Sequence, residues 1–239
     1  MYDTYKPANP MIKDIEMGIV IDNDFEKEEQ RNFVRKVYSL LLCELITTIS
    51  MCGAAMYNSS IRNYIIIHDG LLVMGTVLSI VFLCMLFCYK NKNPINMWLL
   101  AGFTITIAYT VACTCAYYVS IGYKTLVIKA FLITILTFIM LTLFTFQSKY
   151  NFDFMQEIVA SGLMVLIFWG ILNWAIGSDG GMLYSLFGIF IFVCAIIYDT
   201  HRLKDKFKDS YDDYIIASIE LYLDIINLFL YVLDFMRKE

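Results

Sequence analysis

Residues 214–236 read YIIASIELYLDIINLFLYVLDFM, a segment long and apolar enough to cross a bilayer as one helix. Its polar positions recur at steps of three and four, which places them on a single stripe of that helix. The stripe consists of Ala217, Glu220, Asp224, Asn227, Tyr231 and Asp234. The aliphatic and Phe residues favour insertion by about 6 kcal/mol, and the two central acids cancel most of that gain. The segment is therefore expected to lie at the centre of a helix bundle or to be re-entrant, with its acids facing other helices or water.

The composition indicates a polytopic membrane protein. Of the 239 residues, 59% are hydrophobic, and the mean hydropathy is +0.65. Six further apolar segments precede the acidic one: 37–57, 70–89, 95–118, 124–146, 157–176 and 182–203. They predict an all-α polytopic membrane bundle, with residues 37–239 as a single transmembrane helical domain, residues 1–36 as a polar arm with a flexible start, and residues 58–69 as a loop. The basic residues form no patch interleaved with aromatics, which excludes nucleic-acid binding as an expected function.

The distribution of basic residues predicts the orientation in the membrane. Lys and Arg concentrate in the arm and in the loops on its side of the membrane, whereas the opposite loops contain Arg62 and Lys124. By the positive-inside rule, the N-terminus is cytosolic. Arg237 and Lys238 slightly favour a re-entrant last segment by the same rule, while the length of that segment favours crossing. No cleavable signal peptide is expected, since the first 36 residues are polar and charged.

Asp199 and Asp224 form the main candidate site. They are equally distant in sequence from residues 210–213, the expected turn between the last two spans, so an antiparallel hairpin brings them to the same depth. Two carboxylates at about 4 Å repel by roughly 4 kcal/mol at an effective dielectric near 20. The pair is therefore expected to hold one shared proton at neutral pH. Protonated, it would latch the two helices together; deprotonated, it would open and offer oxygens to calcium.

Other residues are candidates for accessory roles beside this pair. Glu220, one turn before Asp224, is assigned to the same pathway, and Glu44 and Asn227 would extend it. His201 would tune the latch through its protonation, although a solvated histidine at a helix end is the more common case. The alternatives for the acids are a polar seam that only holds helices together, or pairing of Asp199 with Arg202 or Lys204. Calcium would be bound only transiently by the pair, and no cofactor is expected.

Four motifs resemble the Bax inhibitor, or lifeguard, family of membrane proteins. They are RKVYSLLLCELITT at 35–48, FTFQSKYNFDF at 144–154, IIYDTHRL at 196–203 and YIIASIELYLDIINLFLYVL at 214–233. Within that family, the compact length and the YDTH and LYLDIINLFL sequences are similar to the Golgi anti-apoptotic proteins of animals and poxviruses. The abundance of Ile, Asn, Tyr, Lys and Asp indicates an AT-rich coding sequence, which would suit a viral copy.

The resemblance implies a protein of six or seven helices in Golgi and endoplasmic-reticulum membranes that leaks calcium from those stores and restrains apoptosis. The paired acids of the family match Asp199 and Asp224. The sequence departs from the family in three places: span two lacks the arginine of some bacterial members, Glu44 stands where relatives often carry Gln, and Asp179 only approximately replaces an acid near the start of span six.

Other functions stay open from the sequence. A membrane interaction protein that restrains death regulators without conducting ions is compatible with the same segments. An intramembrane aspartyl protease would need two acids on adjacent helices, but Tyr222 and Leu223 would crowd a peptide beside Asp224. A zinc-dependent lipid hydrolase needs more than two histidines. The chain is therefore not expected to be an enzyme, and its candidate partners are membrane lipid, calcium, a second copy of the chain and death-pathway regulators.

Overall fold

The computed structural model of the chain describes residues 10–68, 70–89, 92–148, 150–206 and 214–238. Within those ranges the chain forms eight helices and no strand. The helices are α1 (Pro10–Tyr57), α2 (Ser59–Ile67), α3 (Gly70–Tyr89), α4 (Ile95–Ser120), α5 (Lys124–Gln147), α6 (Met155–Ile176), α7 (Gly181–Lys206) and α8 (Tyr214–Lys238). Seven of them are long and apolar enough to cross a membrane, which confirms the predicted all-α polytopic bundle.

The short helix α2 corrects the sequence-based expectation of a loop between the first two spans. Its N-terminus is capped by the Asn58 side chain, which accepts hydrogen bonds from the backbone N–H groups of Ser60 at 2.9 Å and Ile61 at 3.3 Å. An asparagine at this position satisfies two of the amide groups that a helix start leaves without partners. With only nine residues, α2 is too short to span a bilayer. The length of an apolar run, which predicts the membrane spans, therefore does not predict α2.

Helix α1 runs through the predicted boundary between the polar arm and the membrane domain. It begins at Pro10 and continues without a break to Tyr57. The end of the predicted arm, residues 25–36, is thus helical and continuous with the first span. The assignment of residues 1–36 as a cytosolic arm stays a prediction, and its first nine residues lie outside the described part of the chain.

Helix α8 occupies the centre of the bundle. It contacts α1, α4, α5 and α7 and is the most buried of the seven membrane-length helices. It pairs antiparallel with α7 along its whole length, since Asp224 meets Asp199 late in α7 and Asp234 meets Ser185 near its start. Helix α8 is unbroken over 25 residues and central in the bundle, and its crossing of the membrane stays a prediction. The expected turn at residues 210–213 lies outside the described residues.

Packing around α8 depends on close contacts and interhelical hydrogen bonds, because burial of apolar surface contributes little between helices that already lie in lipid. The fully buried Tyr222 donates to or accepts from Thr48 on α1 at 2.7 Å, and its ring meets the edge of Phe103 on α4. On another side of α8, Phe229 stacks on Phe131 of α5 with ring centroids 4.1 Å apart. These contacts fix the rotation of α8, and with it the direction in which the acidic stripe points.

Replacing Gly188 by alanine is expected to weaken the α7–α8 pair. The ring of Tyr231 lies against the backbone at Gly188, so an added Cβ would clash with ring carbons. Overpacking of this kind typically costs about 1–3 kcal/mol. The melting temperature of the detergent-purified protein should therefore fall. Gly53→Ala is the matched control, because nothing lies within 4 Å of its added Cβ; equal melting temperatures for the two variants would contradict the described packing.

Candidate functional site: a carboxylate pair between α7 and α8

The side chains of Asp199 and Asp224 lie within hydrogen-bonding reach of each other across the α7–α8 interface. Asp224 lies in the middle of α8 and is 9% exposed, whereas Asp199 is half-buried near the end of α7. The Oδ2 atom of Asp224 is buried and has no hydrogen-bond partner among the described residues. Bringing two acids together with one oxygen unsatisfied lowers the stability of the folded protein. Acids inside membrane segments commonly mark a functional site.

The chemistry of such a contact follows from electrostatics. Two ionised carboxylates at about 4 Å repel by roughly 4 kcal/mol at an effective dielectric near 20. A hydrogen bond between them therefore requires a proton on one of the two groups, which the pair shares. Loss of that proton replaces an attractive contact by a repulsive one at the centre of the bundle. The geometry thus provides a protonation-dependent contact between two helices.

Glu220 and Asn227 flank the pair on the same stripe of α8. Glu220 is half-buried and close enough to Asp224 to act on its charge. Asn227 lies one turn further along, and its side-chain amide donates to the Leu223 carbonyl at 2.8 Å. The stripe predicted from the spacing therefore faces α7, with three polar groups on consecutive turns. Their assignment to an ion pathway stays a prediction.

A cavity of about 410 Å³ continues the stripe between α6, α7 and α8. We call it the seam pocket; its lining combines apolar residues with Asn227, Tyr184 and Tyr231. The Tyr231 hydroxyl donates to the Tyr184 hydroxyl at 3.1 Å, and Tyr184 in turn reaches the Leu166 carbonyl on α6 at 3.4 Å. The pocket thus places a chain of hydroxyl and amide groups on the side of the acid pair that faces the start of α7.

The end of α8 is held by a group of ion pairs that we call the terminal cluster. Its members are Asp179, Ser185, Asp234, Arg237 and Lys238. Asp234 accepts from Lys238 at 2.6 Å, from Arg237 at 2.9 Å and from Ser185 at 2.6 Å. Lys238 also donates to the carbonyl of Asp179, which joins α8 to the α6–α7 turn. The cluster closes the bundle at the end where α7 begins and α8 ends.

The structure separates three candidate residues from the acid pair. Asp179 is 77% exposed and pairs with Arg237 at 3.6 Å; it precedes Gly181, which lies about 27 Å along α7 from Asp199. His201 is two residues past Asp199 on α7, so the His201 side chain projects from a different side of the helix. The His201 ring packs edge-to-face with Phe152. Among the described residues, no contact links Asp179 or His201 to the acid pair. Their accessory roles stay predictions.

Glu44 is separated from the acid pair by α8 itself. It is 3% exposed on α1 and lies near Tyr222, which is two residues before Asp224 and so projects from a different side of α8. The acids that act on Asp224 are Asp199 and Glu220. The expectation that Glu44 extends the same acidic path does not match this arrangement, because the rotation of α1 turns Glu44 toward α4.

No group of three or more His, Cys, Asp or Glu side chains among the described residues is placed to hold a metal ion. Asp199 and Asp224 together supply four carboxylate oxygens, whereas calcium takes about six to eight oxygen ligands. The pair therefore suits brief contact with a passing, partly hydrated cation better than permanent binding. Transient calcium at Asp199 and Asp224 stays a prediction.

The sequence comparison identifies the family. The family model described as inhibitor of apoptosis-promoting Bax1 matches residues 30–239. The chain belongs to this Bax inhibitor family. It is 34% identical over 206 residues to a Golgi anti-apoptotic protein of vaccinia virus (strain Lister), with 86% of this chain and 84% of the relative covered. It is 32% identical over 213 residues to Protein LIFEGUARD 4 of Arabidopsis thaliana, with 86% of this chain and 84% of the relative covered. It is 33% identical over 206 residues to Protein lifeguard 4 of Mus musculus, with the same two coverages.

Two residues of this Bax inhibitor family member escaped the sequence analysis. Tyr184 and Ser185 lie on the α7 face that meets α8, and they bind Tyr231 and Asp234 of the stripe. The sequence contains a signal for this contact, since the residue pairing about positions 210–213 that brings Asp199 to Asp224 also sets Ser185 beside the end of α8. The same pairing applies to hydroxyl residues as well as to acids.

Proposed function

We propose that the chain is a calcium leak channel of intracellular membranes, gated by the Asp199–Asp224 pair as a pH-sensitive latch. The observation that carries the proposal is the side-chain contact of these two acids at the centre of the most buried helix. With one shared proton the pair holds α7 and α8 together. Without it, the two carboxylates repel, the α7–α8 seam opens, and their oxygens attract a divalent cation.

The polar groups beyond the pair support a continuous path along the seam. Glu220 lies on one side of the pair, and Asn227 with the seam pocket lies on the other. Carboxylates, amides and hydroxyls are the oxygen-bearing groups that a hard cation meets in selective pores. The pathway residues are accordingly Asp199, Asp224 and Glu220, with Asn227 as an accessory.

The names of the relatives support the biological role that we propose for this leak. One relative is called a Golgi anti-apoptotic protein, and the family model describes an inhibitor of apoptosis-promoting Bax1. We assign the chain to Golgi and endoplasmic-reticulum membranes with a cytosolic N-terminus, in agreement with its basic residues. A steady leak lowers the calcium that those stores release, and this restrains apoptosis.

Calcium efflux from proteoliposomes at pH 6 and pH 8 tests the proposal. The wild-type leak should be larger at pH 8, because loss of the shared proton opens the seam. Asp224→Asn should keep the leak at its pH 6 level at both pH values, since the amide donates to Asp199 as the shared proton does. Glu157→Gln is the matched control, an exposed acid in the first turn of α6 away from the pair, and it should retain the wild-type pH response.

Three outcomes would contradict the proposal. Well-folded wild-type protein without a leak at either pH would remove the channel function and leave an interaction protein. A leak with the same pH response in Asp224→Asn would place the gate elsewhere. A cleaved product that disappears in Asp224→Asn, with calcium flux unchanged, would favour a protease.

A further inference from the structure

A second cavity, of about 300 Å³, lies between α1 and α4 and has Glu44 in its wall. We call it the Glu44 pocket. Its lining is Leu40, Cys43, Glu44, Thr47, Met97, Leu100, Ala101, Thr104 and Ile105. Glu44, Leu100 and Thr104 are buried and form its floor, whereas Met97 and Ile105 are exposed at its rim. Both α1 and α4 are long and apolar enough to cross a membrane, so the rim is expected to face lipid.

Glu44 has no partner in this pocket. Its side chain is 3% exposed, and neither Oε1 nor Oε2 has a hydrogen bond among the described residues. A charged carboxylate in apolar surroundings without a partner is strongly unfavourable. The pocket therefore calls for a ligand that either accepts the carboxyl proton or brings a positive charge.

The other polar groups of the pocket narrow the chemistry of that ligand. Thr47 donates to the Cys43 carbonyl at 2.8 Å, and Thr104 donates to the Leu100 carbonyl at 2.9 Å. Each hydroxyl oxygen still has a lone pair with which to accept a hydrogen bond. Together with Glu44, the residues that line the pocket carry three groups able to accept a hydrogen bond, the number of N–H donors on a primary ammonium. The rest of the lining is apolar and suits an alkyl chain.

We propose that the Glu44 pocket binds a lipophilic primary amine, a single amino group on a long alkyl chain, that enters from the bilayer. The amine arrives neutral, which avoids carrying a charge through lipid. On binding, its nitrogen takes the carboxyl proton of Glu44: the O–H bond breaks, an N–H bond forms, and an ammonium–carboxylate pair results. The reverse transfer releases the neutral amine. This site lies on a different side of α8 from the Asp199–Asp224 pair and does not depend on the proposed channel function.

Protection of Cys43 provides a direct test. Cys43 lines the pocket and is exposed, as are Cys84 and Cys88 on α3, which do not line it. The purified full-length chain in detergent micelles is treated with methyl methanethiosulfonate, which reacts with thiols and not with amines, and each cysteine is quantified by mass spectrometry. Dodecylamine should slow modification of Cys43 by about fivefold or more, equivalent to about 1 kcal/mol, and leave Cys84 and Cys88 unchanged.

The controls separate the amine from any alkyl chain. Dodecanol, dodecanoate and dodecyltrimethylammonium should not protect Cys43, because none can take a proton from Glu44 and return N–H donors. Glu44→Gln should abolish protection by dodecylamine. Equal protection by dodecanol, or protection retained in Glu44→Gln, would overturn the proposal.

The melting temperature supplies a second measurement that does not depend on the reactivity of Cys43. Dodecylamine should raise it for the wild-type protein and not for Glu44→Gln, since a ligand that binds only the folded state stabilises it. An equal rise in both proteins, or no rise in either, would overturn the proposal.

Discussion

Asp224→Lys is expected to reduce the calcium leak by about tenfold or more at both pH 6 and pH 8, a difference of about 1.4 kcal/mol or more. Repulsion of roughly 4 kcal/mol between two ionised acids at about 4 Å becomes an attraction of similar size when one of them is a cation. The ion pair with Asp199 needs no proton, so the latch stays closed where the wild-type pair would open. Efflux from proteoliposomes measures the leak, and size-exclusion chromatography confirms that the variant is folded.

A charge placed elsewhere in the same seam distinguishes a closed latch from simple repulsion of calcium. Asn227→Lys puts the same cation one turn further along α8, in the seam pocket beside the acid pair, and leaves both acids in place. This variant should conduct less calcium but retain a larger leak at pH 8 than at pH 6, because the acids are intact. A leak in Asp224→Lys that still rises with pH would show that the Asp199–Asp224 contact is not the gate.

The membrane spans could be predicted from the sequence because the bilayer imposes a length. Apart from the start of α1, apolar runs bounded by charged or turn residues place the ends of the membrane-length helices within three positions, and α3 begins and ends where the sequence predicts. The contact between Asp199 and Asp224 could also be anticipated, since a hairpin with a short turn fixes which residues share a depth. Helix α2 could not, because nine residues carry too little periodicity and its start depends on the Asn58 cap.

The surroundings of each acid could not be predicted, because they depend on how each helix is rotated. Glu44 and Glu220 look alike in the sequence, as single acids in apolar spans. The rotation of α1 is fixed by contacts such as Thr48 with Tyr222, between residues that are 174 positions apart. Those contacts turn Glu44 into its own pocket with α4 and leave Glu220 beside Asp224. Periodicity indicates that a helix has a polar face but does not indicate which helix that face meets.

Asp234→Asn is expected to be the most destabilising single change at the end of the bundle, at about 1.5–3 kcal/mol, the typical contribution of hydrogen bonds to charged groups. The Asp234 side chain is partly buried, at 25% exposed. Asp234 accepts from Ser185, Arg237 and Lys238, and the Lys238 side chain is only 11% exposed. The amide keeps the size of the side chain but removes the described counter-charge of the largely buried Lys238 and leaves Arg237 with only the exposed Asp179. Thermal unfolding of the detergent-purified protein measures the loss.

Asp179 in the same cluster provides the matched comparison. It also pairs with Arg237, but at 3.6 Å and with a side chain that is 77% exposed. Ion pairs in contact with solvent contribute about 0–1 kcal/mol, so Asp179→Asn should unfold close to the wild-type temperature. The difference between the two variants would show that the terminal cluster holds α8 to α7 through the partly buried Asp234, rather than through the number of its charges. Similar melting temperatures for the two variants would mean that the end of α8 is open to water and that its ion pairs are screened.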